Sequence, residues 1–570
     1  MSATIFGIDL GTTNSCLAVM RDGVPRVLPI DDQPTVPSVV SLDPKSGQFV
    51  VGVRARNRRA LYPELTVSSI KRRMGEGMPV AIGNRHLLPE EVSAEILRYL
   101  KSEGSKAGGE EVSRVVITVP AYFEDAQRRA TIRAGELAGL EVMRIINEPT
   151  AASLVYERVD QREVDAAVAG ARVAPGGREA DGRRHLLVYD LGGGTFDVSL
   201  VRVAGELYEV CASCGDTHLG GDDFDQLLLG HLLARIAEGK GADLRGDRRA
   251  MARLRDAAER AKIELSSRPY TRVMEEALAK GVDLDLEVAR DELLELIDEH
   301  LERTLLEVDR ALHEARLRAA DIDRVLLVGG STRIPRVLDL LEGKLGRPVT
   351  HSLDPDLCVA LGAAVQGAII GGSAFDRILI DVAAHSLGIK TLALPDSSLW
   401  SLDEANHFSA IIPRNTQIPV TRSEVFGTLV DNQDLVNVEV YQGEHELCSK
   451  NTLIGEFDFK LLPAPAHSPV VVELSYDLEG IIHVVVSQKE TENRREVTLS
   501  SRRHAPAEAP SVAAGAVDNF ILRKARRLAA ALPDAALRER LSAATTAYEL
   551  ALKNESAELD RREDELLELL

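Results

Sequence analysis

The sequence predicts a multidomain protein: an α/β domain over residues 1–375, an apolar connector over 376–383, a β-sandwich over 384–504 and a helical segment over 511–570. Three observations predict it. Up to about residue 375, short apolar runs alternate with helical patterns, the signature of a sheet covered by helices. After Asp376 the pattern changes to short runs with an apolar residue at every second position. Residues 505–510 are rich in Pro and Ala, and from Val517 the chain is helical except at Leu532-Pro533-Asp534.

Within the α/β part, strands are predicted over 5–8, 115–119, 186–189 and 325–328, and helices over 89–100, 125–138, 224–237, 248–265 and 290–315. Residues 159–184 lack clear periodicity and read as an inserted surface loop. Residues 357–375 carry no charge, close to the ~20 that a membrane helix needs. They include Gly362, Gly367, Gly371 and Gly372, however, so the stretch reads as a closely packed core helix. In the sandwich, Val436, Val438 and Val440 alternate with Asn437, Glu439 and Tyr441, and Phe457, Phe459 and Leu461 with Glu456, Asp458 and Lys460.

Composition excludes several classes of function. With 68 Lys+Arg against 89 Asp+Glu, the net charge is −21, the wrong sign for a protein that neutralises nucleic-acid phosphates. One Trp and 4% aromatic residues leave few platforms on which bases could stack. Five Cys make no disulfide framework, and Met1-Ser2-Ala3-Thr4 shows no basic-then-apolar leader, so a soluble protein of a reducing compartment is expected.

The chemistry lies in a weak duplication. The segment Phe6-Gly7-Ile8-Asp9-Leu10-Gly11-Thr12-Thr13-Asn14-Ser15 returns as Leu187-Val188-Tyr189-Asp190-Leu191-Gly192-Gly193-Gly194-Thr195-Phe196. Each copy is a strand, an Asp-Leu-Gly, a tight turn of small residues and a second strand. Glycines let backbone N–H groups surround an anion, and an Asp at the strand end can organise a hydrated divalent metal. Two such hairpins would grip a polyphosphate from both sides of a cleft, with a third Gly-rich turn at Gly329-Gly330-Ser331. The chain has no Walker A sequence, which removes the P-loop architecture.

DLGTTNS, VITVPAYF, INEPTAAS, YDLGGGTFD, GDTHLGGDDFD, LLVGGSTRIP and ALGAAVQG, followed by SLGI, VFGTLVDNQ and VYQGE, resemble the DnaK-type heat-shock chaperones, the heat shock protein 70 family. The short chain looks like a specialised HscC-like member. The resemblance implies an actin-like two-lobed ATPase domain, a peptide-binding sandwich and a shortened helical lid. It further implies an ATP-dependent chaperone of the bacterial-type cytoplasm that uses ATP/ADP, Mg2+ and K+. Its partners would be unfolded peptide segments, a J-domain co-chaperone and a nucleotide exchange factor, with no nucleic acid and no membrane.

By the same resemblance, Gly11, Thr12, Thr13 and Asn14 would hold phosphates from one side, and Gly192, Gly193, Gly194, Thr195, Gly220 and Gly221 from the other. Asp9, Asp190 and Asp197 would surround the metal mostly through water. Lys71 would reach the γ-phosphate, and Glu148 would help order the attacking water, with Asp9, Thr195 and Asp197 also catalytic. Glu259, Lys262 and Ser266 would contact the adenosine with Gly329, Gly330, Ser331, Arg333 and Asp356; by spacing alone the trio would be a solvated helix face. Ile389, Thr391, Leu392, Phe426, Leu429, Val436 and Val438 would line the peptide groove, although half of any sandwich strand faces its core. Pro120 and Arg128 would relay between domains, Ile378, Leu379 and Ile380 would be buried in one state and exposed in the other, and Arg144, Asn147 and Asp381 would meet the J-domain.

Departures from the family pattern are Arg377 at the connector, Ala383-Ala384-His385 for Thr-Pro-Leu, a shortened stretch between Lys71 and Pro89, and bulkier Leu429 at the groove. The tail also has only sixteen residues (517–532) before its break, a reach of about 24 Å. Cys211 and Cys214 are expected to be structural rather than a redox or zinc pair. Cys16, beside the first phosphate turn, is a candidate for oxidation. A small-molecule kinase or an actin-like filament could share the duplicated domain, but neither needs the sandwich.

Overall fold

Charge-free β-branched runs such as Val115-Val116-Ile117 are buried on both faces and form the middle of sheets. The computed structural model describes residues 4–156, 183–349, 353–372, 378–392, 406–499, 540 and 542–547. Met1–Arg502 forms one compact unit and Arg503–Leu570 another. In the latter only residues 540 and 542–547 are described, and they are helical. The expected helix over 517–532 and its break lie outside the described residues.

Two six-stranded sheets organise the α/β part. The first runs Glu141–Asn147, Arg114–Val119, Ile5–Asp9, Asn14–Arg21, Val24–Val27, with Val36–Pro37 beside Asn14–Arg21. The second runs Arg324–Val328, Arg184–Leu191, Phe196–Ala204, Leu207–Asp216, Ile378–Val382, Gln417–Ile418. The duplication is visible in the register. Ile5–Asp9 pairs antiparallel with the next strand and parallel with Arg114–Val119. Arg184–Leu191 likewise pairs antiparallel with the next strand and parallel with Arg324–Val328. Asp9 faces Cys16 and Asp190 faces Asp197, each seven residues on.

All five expected helices form, as Pro89–Gly108, Asp125–Leu137, Gly221–Lys240, Arg248–Ser267 and Arg290–Glu314. Gly221–Lys240 starts earlier than its apolar periodicity because the Asp223 carboxylate accepts the Gly220 N–H, closing the first turn. Pro89–Gly108 runs on because Gly104 is buried on the same face as Leu97 and Leu100. A hairpin, Val80–Ile82 with Arg85–Leu87, occupies part of the short stretch after Lys71. Residues 159–182 of the expected loop lie outside the described residues, and its last residue, Arg184, already belongs to a strand.

The uncharged stretch is the helix Cys358–Ile370, buried along most of its length. Its small residues permit an approach that larger ones would forbid: a Cβ on Gly7 would meet the Ala364 nitrogen at 2.2 Å, and one on Gly362 the Ala151 carbonyl oxygen at 1.8 Å. This helix therefore lies directly on the strand that carries Asp9. Among the described residues no helix is long and apolar enough to cross a membrane.

Two four-stranded antiparallel sheets follow. One is Asn406–Ile412, Leu387–Leu392, Leu435–Gln442, Thr452–Lys460; the other is Val420–Gly427, Pro469–Tyr476, Ile482–Gln488, Arg494–Thr498. Their inward residues, including Val438, Val440, Phe457, Phe459, Val472 and Val484, form a separate core, as the alternation predicts. Ile378–Val382 continues the second sheet of the α/β part, parallel to Leu207–Asp216, and holds Gln417–Ile418 on its other edge. Further contacts join the sandwich to the loop and helix after Val119. The Ile482 N–H donates to Asp125 at 3.2 Å, Arg129 donates to the Ile482 carbonyl at 3.1 Å and Thr452 to Glu124 at 2.9 Å.

Gly362→Ala should destabilise the protein by at least about 2 kcal/mol, since its Cβ would press on backbone rather than on a yielding side chain. Gly230→Ala, exposed in a helix interior with nothing near its Cβ, should stabilise by about 0.5–1 kcal/mol. Denaturant midpoints of the two variants check both signs.

Candidate nucleotide site

Asp9 and Asp190 end the first strands of the two duplicated hairpins, and they meet on the floor of a cavity of about 320 Å³. Each strand runs from apolar core into its Asp, so each carboxylate is delivered with little water around it. Thr118 donates to Asp9 Oδ1 at 3.0 Å, and the Tyr122 N–H to Asp197 Oδ1 at 3.1 Å. Asp190 Oδ2 is buried without a partner. Lys71, in the turn Ile70–Arg73, forms a buried ion pair with Glu148. Burial raises Asp9 to about 7, helped by Glu148 and opposed by Lys71 and the Thr118 bond. Burial likewise raises Asp197 to about 7, with Glu148 adding and the Tyr122 N–H subtracting, and it raises Asp190 well above the carboxylate range.

The turns above this floor are braced from below. The Thr195 carbonyl accepts the Gly192 N–H at 3.1 Å, and Ser331 Oγ donates to the Gly192 carbonyl at 2.9 Å. The Gly221 and Asp222 N–H groups donate to the Gly192 and Gly193 carbonyls at 3.0 and 2.7 Å. On the opposite turn, Ser38 donates to the Gly11 carbonyl at 2.7 Å. A Cβ on Gly193 would lie 1.9 Å from Thr13 Oγ1, so the two turns close on each other at a point where only glycine fits.

At the far end, Glu259, Lys262 and Ser266 line the cavity from one helix. Arg59 donates to Glu259 at 3.1 Å, and Lys262 donates to the Gly221 carbonyl at 2.8 Å and pairs with Asp225 at 2.9 Å. Arg333 is paired with Asp354 and Asp356, each at 2.8 Å.

The cavity brings together Asp9, Gly11, Thr12, Thr13, Asn14, Lys71, Glu148, Asp190, Gly192, Gly193 and Thr195 with Glu259, Lys262, Ser266, Gly329, Gly330, Ser331, Arg333 and Asp356. Gly194, Gly220, Gly221 and Asp197 stand outside its lining. Gly220 and Gly221 support the second turn from behind, and a Cβ on Gly194 would strike Arg72 and Thr12. The lining also includes Arg56, Asp225, Ile263, Ile334 and Val359. Ile263 could have been found from the sequence, because it lies four residues past Glu259 and three before Ser266 on the same helix face.

A nucleotide with a divalent cation fits these residues. Crowded, buried carboxylates and an unpartnered Asp190 oxygen suit a hydrated cation, and turns that admit no Cβ leave backbone N–H groups for phosphate. A family model described as Hsp70 protein matches residues 5–82 and 77–566. The chain belongs to the Hsp70 family. Hsp70 proteins are ATP-dependent chaperones, with an ATPase domain and a substrate-binding domain, that use nucleotide and Mg2+ and act on unfolded peptides with co-chaperones. The protein is accordingly an ATPase.

The residues expected in the Hsp70 peptide groove do not share one environment. Ile389 and Val438 lie in the sandwich core, Phe426 and Val436 pack against it, and Leu429 is 48% exposed. Thr391 donates to the His407 carbonyl at 3.3 Å, and Leu392 is described through its backbone alone. Arg128, expected as a relay residue, lies among Arg144, Asn147 and Asp381, expected at the J-domain contact. Arg128 donates to the carbonyls of Phe123, Ala121 and Glu479 and, at 2.7 Å, to Asn147 Oδ1. Asn147 Nδ2 donates to Asp381 at 3.0 Å, Thr150 donates to the same oxygen at 3.2 Å, and Arg144 lies 3.8 Å from Glu479. Pro120 opens the loop that contains Ala121, Tyr122 and Phe123. In the connector, Ile378 is 62% exposed, and Leu379 and Ile380 are half-buried.

Two cysteine expectations are decided by burial. Cys16 is 1% exposed, donates to the Pro34 carbonyl and has its thiol pushed far up by burial, so the expected oxidation sensitivity is withdrawn. Cys211 and Cys214 lie on one strand whose register shifts at Cys211, and both pack into the same apolar core with their thiols raised by burial, consistent with structural roles. Arg377 falls outside the described residues.

Gly193→Ala should weaken ATP binding at least tenfold by calorimetry while leaving the melting temperature nearly unchanged, because the clash is confined to two facing turns.

Proposed function

We propose that this protein is an Hsp70 chaperone in which an actin-like, two-lobed ATPase domain (1–375) controls extended-peptide binding by the sandwich (384–504) through the connector (376–383). The observation that carries this reading is one continuous path. The floor of the cleft leads through Asn147, next to catalytic Glu148, to Asp381 in a connector strand paired with the ATPase sheet.

In this reading Thr12, Thr13, Asn14 and the Gly192–Thr195 turn hold the phosphates through N–H and O–H donors. Bound Mg2+ supplies the positive charge that the polyphosphate and the carboxylate floor both need. Asp9, Asp190 and Asp197 would hold it mostly through water, and K+ would serve as a second cation. Lys71 neutralises charge at the γ-phosphate, and Glu148, held by Lys71, orients the attacking water. Thr195 positions the phosphate from the opposite side. Such catalysis works by placement and charge rather than covalent chemistry. Glu259, Lys262, Ser266 and Arg333 hold the adenosine.

The sandwich contacts described above correspond to the state in which the ATPase domain holds the sandwich. Release would free the connector and change the peptide groove, as coupling between sites requires different contacts in two states. A J-domain co-chaperone binding near Arg144, Asn147 and Asp381, and a nucleotide exchange factor, complete the cycle in a bacterial-type cytoplasm. The HscC-like type is inferred from the arm: only sixteen residues (517–532) precede the Leu532-Pro533-Asp534 break, a reach of about 24 Å if helical, which would cover the groove in part. Peptide should accordingly leave within seconds even with ADP bound, and a half-time of many minutes in a labelled-peptide chase would contradict this.

The deciding test is ATP turnover with and without an unfolded peptide or a J-domain protein. Stimulation is expected, whereas phosphate appearing on a small substrate, or ATP-dependent pelleting, would reject the chaperone reading. Lys71→Ala and Thr195→Ala should each lower turnover at least tenfold while ATP still binds. Unchanged turnover in both would remove the site assignment.

A further inference from the structure

We propose that His385 is a positioning residue that ties the docked sandwich to Asp197, the strand neighbour of Asp190 in the nucleotide cleft, and that protonation of His385 releases the sandwich. This rests on the functional reading above and adds a proton to the signals that control docking.

His385 precedes the first sandwich strand, Leu387–Leu392, and is 9% exposed. Its ring meets that of Tyr122 edge-on, with centroids 4.2 Å apart and planes at 66°. Nε2 lies 3.1 Å from the Tyr122 carbonyl oxygen. A carbonyl only accepts, so Nε2 carries a proton there. The N–H of the same residue donates to Asp197 at 3.1 Å. Tyr122 therefore turns its carbonyl to the sandwich and its N–H to the cleft, and the imidazole acts on Asp197 through one residue.

The charged neighbours come from both sides. Tyr122, Glu124 and Arg128 face His385 from the ATPase part. From the sandwich, Glu444, His445 and Lys450 line the cleft beside it, and the Tyr476 O–H donates to its carbonyl at 3.5 Å. Both carboxylates already have partners: Glu124 accepts from Thr452 at 2.9 Å, and Glu444 from the Ser386 N–H and O–H at 2.7 and 2.9 Å. Burial is the largest effect on the imidazole and holds it below its ordinary range, against the opposing pull of the Tyr122 carbonyl, Glu124 and Glu444; Arg128 pushes it further down.

The sign follows. Undocked, the ring regains water and an ordinary pKa of about 6.5. The docked state binds fewer protons than the undocked one, so docking is favoured above that pH and weakens as pH falls below it. One such group shifts the docking equilibrium by up to about tenfold between pH 7.5 and 5.5.

Hydrogen exchange of the connector strand Ile378–Val382 in the full chain reads this equilibrium. Wild type is compared with His385→Gln, which keeps a donor and does not titrate, and with His385→Leu, which keeps bulk and donates nothing. Taking the ratio of wild-type to variant protection at one pH cancels the intrinsic rates. The wild-type to His385→Gln ratio should fall about tenfold from pH 7.5 to 5.5, while the core strand Arg114–Val119 stays equally protected in both proteins. His385→Leu should be less protected than wild type at pH 7.5 and show no further loss from this group on acidification. A ratio independent of pH for both variants, with the connector protected, overturns this inference alone. A wild-type connector unprotected at pH 7.5 overturns the docked arrangement and the inference with it. Absent ATP hydrolysis would count against the functional reading and leave this comparison standing, because protection is what is measured.

Discussion

Four carboxylates gather around the ammonium of Lys71: Asp9, Asp190 and Glu148 line the cavity, and Asp197 lies opposite Asp190 on the neighbouring strand. When all are ionised, the group carries three uncompensated negative charges in a place where water cannot screen them. Each is held there by an element whose other face is core: strands deliver three, and the end of the strand Glu141–Asn147 delivers the fourth. The arrangement is stable only because donors meet the carboxylates, Thr118 at Asp9 and the Tyr122 N–H at Asp197. The remaining charge is neutralised either by protons, whose uptake burial favours at Asp9, Asp190 and Asp197, or by an added cation. A site built this way couples ligand binding to the positions of the strands around it, since any shift of a strand moves a buried charge.

The same groups lead outwards. Asn147 and Glu148 are neighbours in sequence, yet Glu148 faces Lys71 in the cleft, and Asn147 bridges Arg128 and Asp381. Tyr122 divides its two peptide groups in the same manner. Two adjacent backbone positions thus serve both the nucleotide cavity and the connector, and no long chain of intermediates is required between them. The duplication is not symmetric here: the second copy places Asp197 seven residues beyond its Asp, and the first places Cys16, an uncharged thiol. Had the first copy carried a carboxylate there, the floor would hold a fifth negative charge.

Much of this was legible in the sequence, because strand ends and turns are local. Apolar runs ending in Asp-Leu-Gly marked both hairpins, and the small residues of 358–370 marked a helix pressed on a strand. Alternation marked the sandwich and its inward residues. It could not separate core from groove: Ile389 and Val438 carry the same pattern as a pocket would, yet they face the sandwich interior. Nor could it show that Ile378–Val382 joins a sheet begun nearly two hundred residues earlier, since strand partners distant in sequence leave no local trace. Tyr122 and His385 were invisible as a pair for the same reason. Cys16 misled because proximity to a turn in sequence says nothing about which face of the strand a thiol occupies.

The contacts between sandwich and ATPase part differ in kind from those within each. Each part has its own apolar core, and the bonds between them are polar: some run to backbone groups, Arg128 to the Glu479 carbonyl, Arg129 to the Ile482 carbonyl, Asp125 to the Ile482 N–H and Asn415 to the Ser213 N–H, and others join side chains, Arg414 and Asn415 to Glu314, Gln417 to Glu209 and Thr452 to Glu124. A hydrogen bond of this type contributes about 1 kcal/mol net, because water replaces it when the surfaces part. Separation would therefore leave few apolar groups stranded and both cores intact. Such an interface can be specific without being permanent. Specificity comes from charged side chains that find particular carbonyls, and reversibility from the modest net strength of each bond. A strongly apolar interface of the same extent would hold the sandwich far more firmly, because separation would expose apolar surface to water.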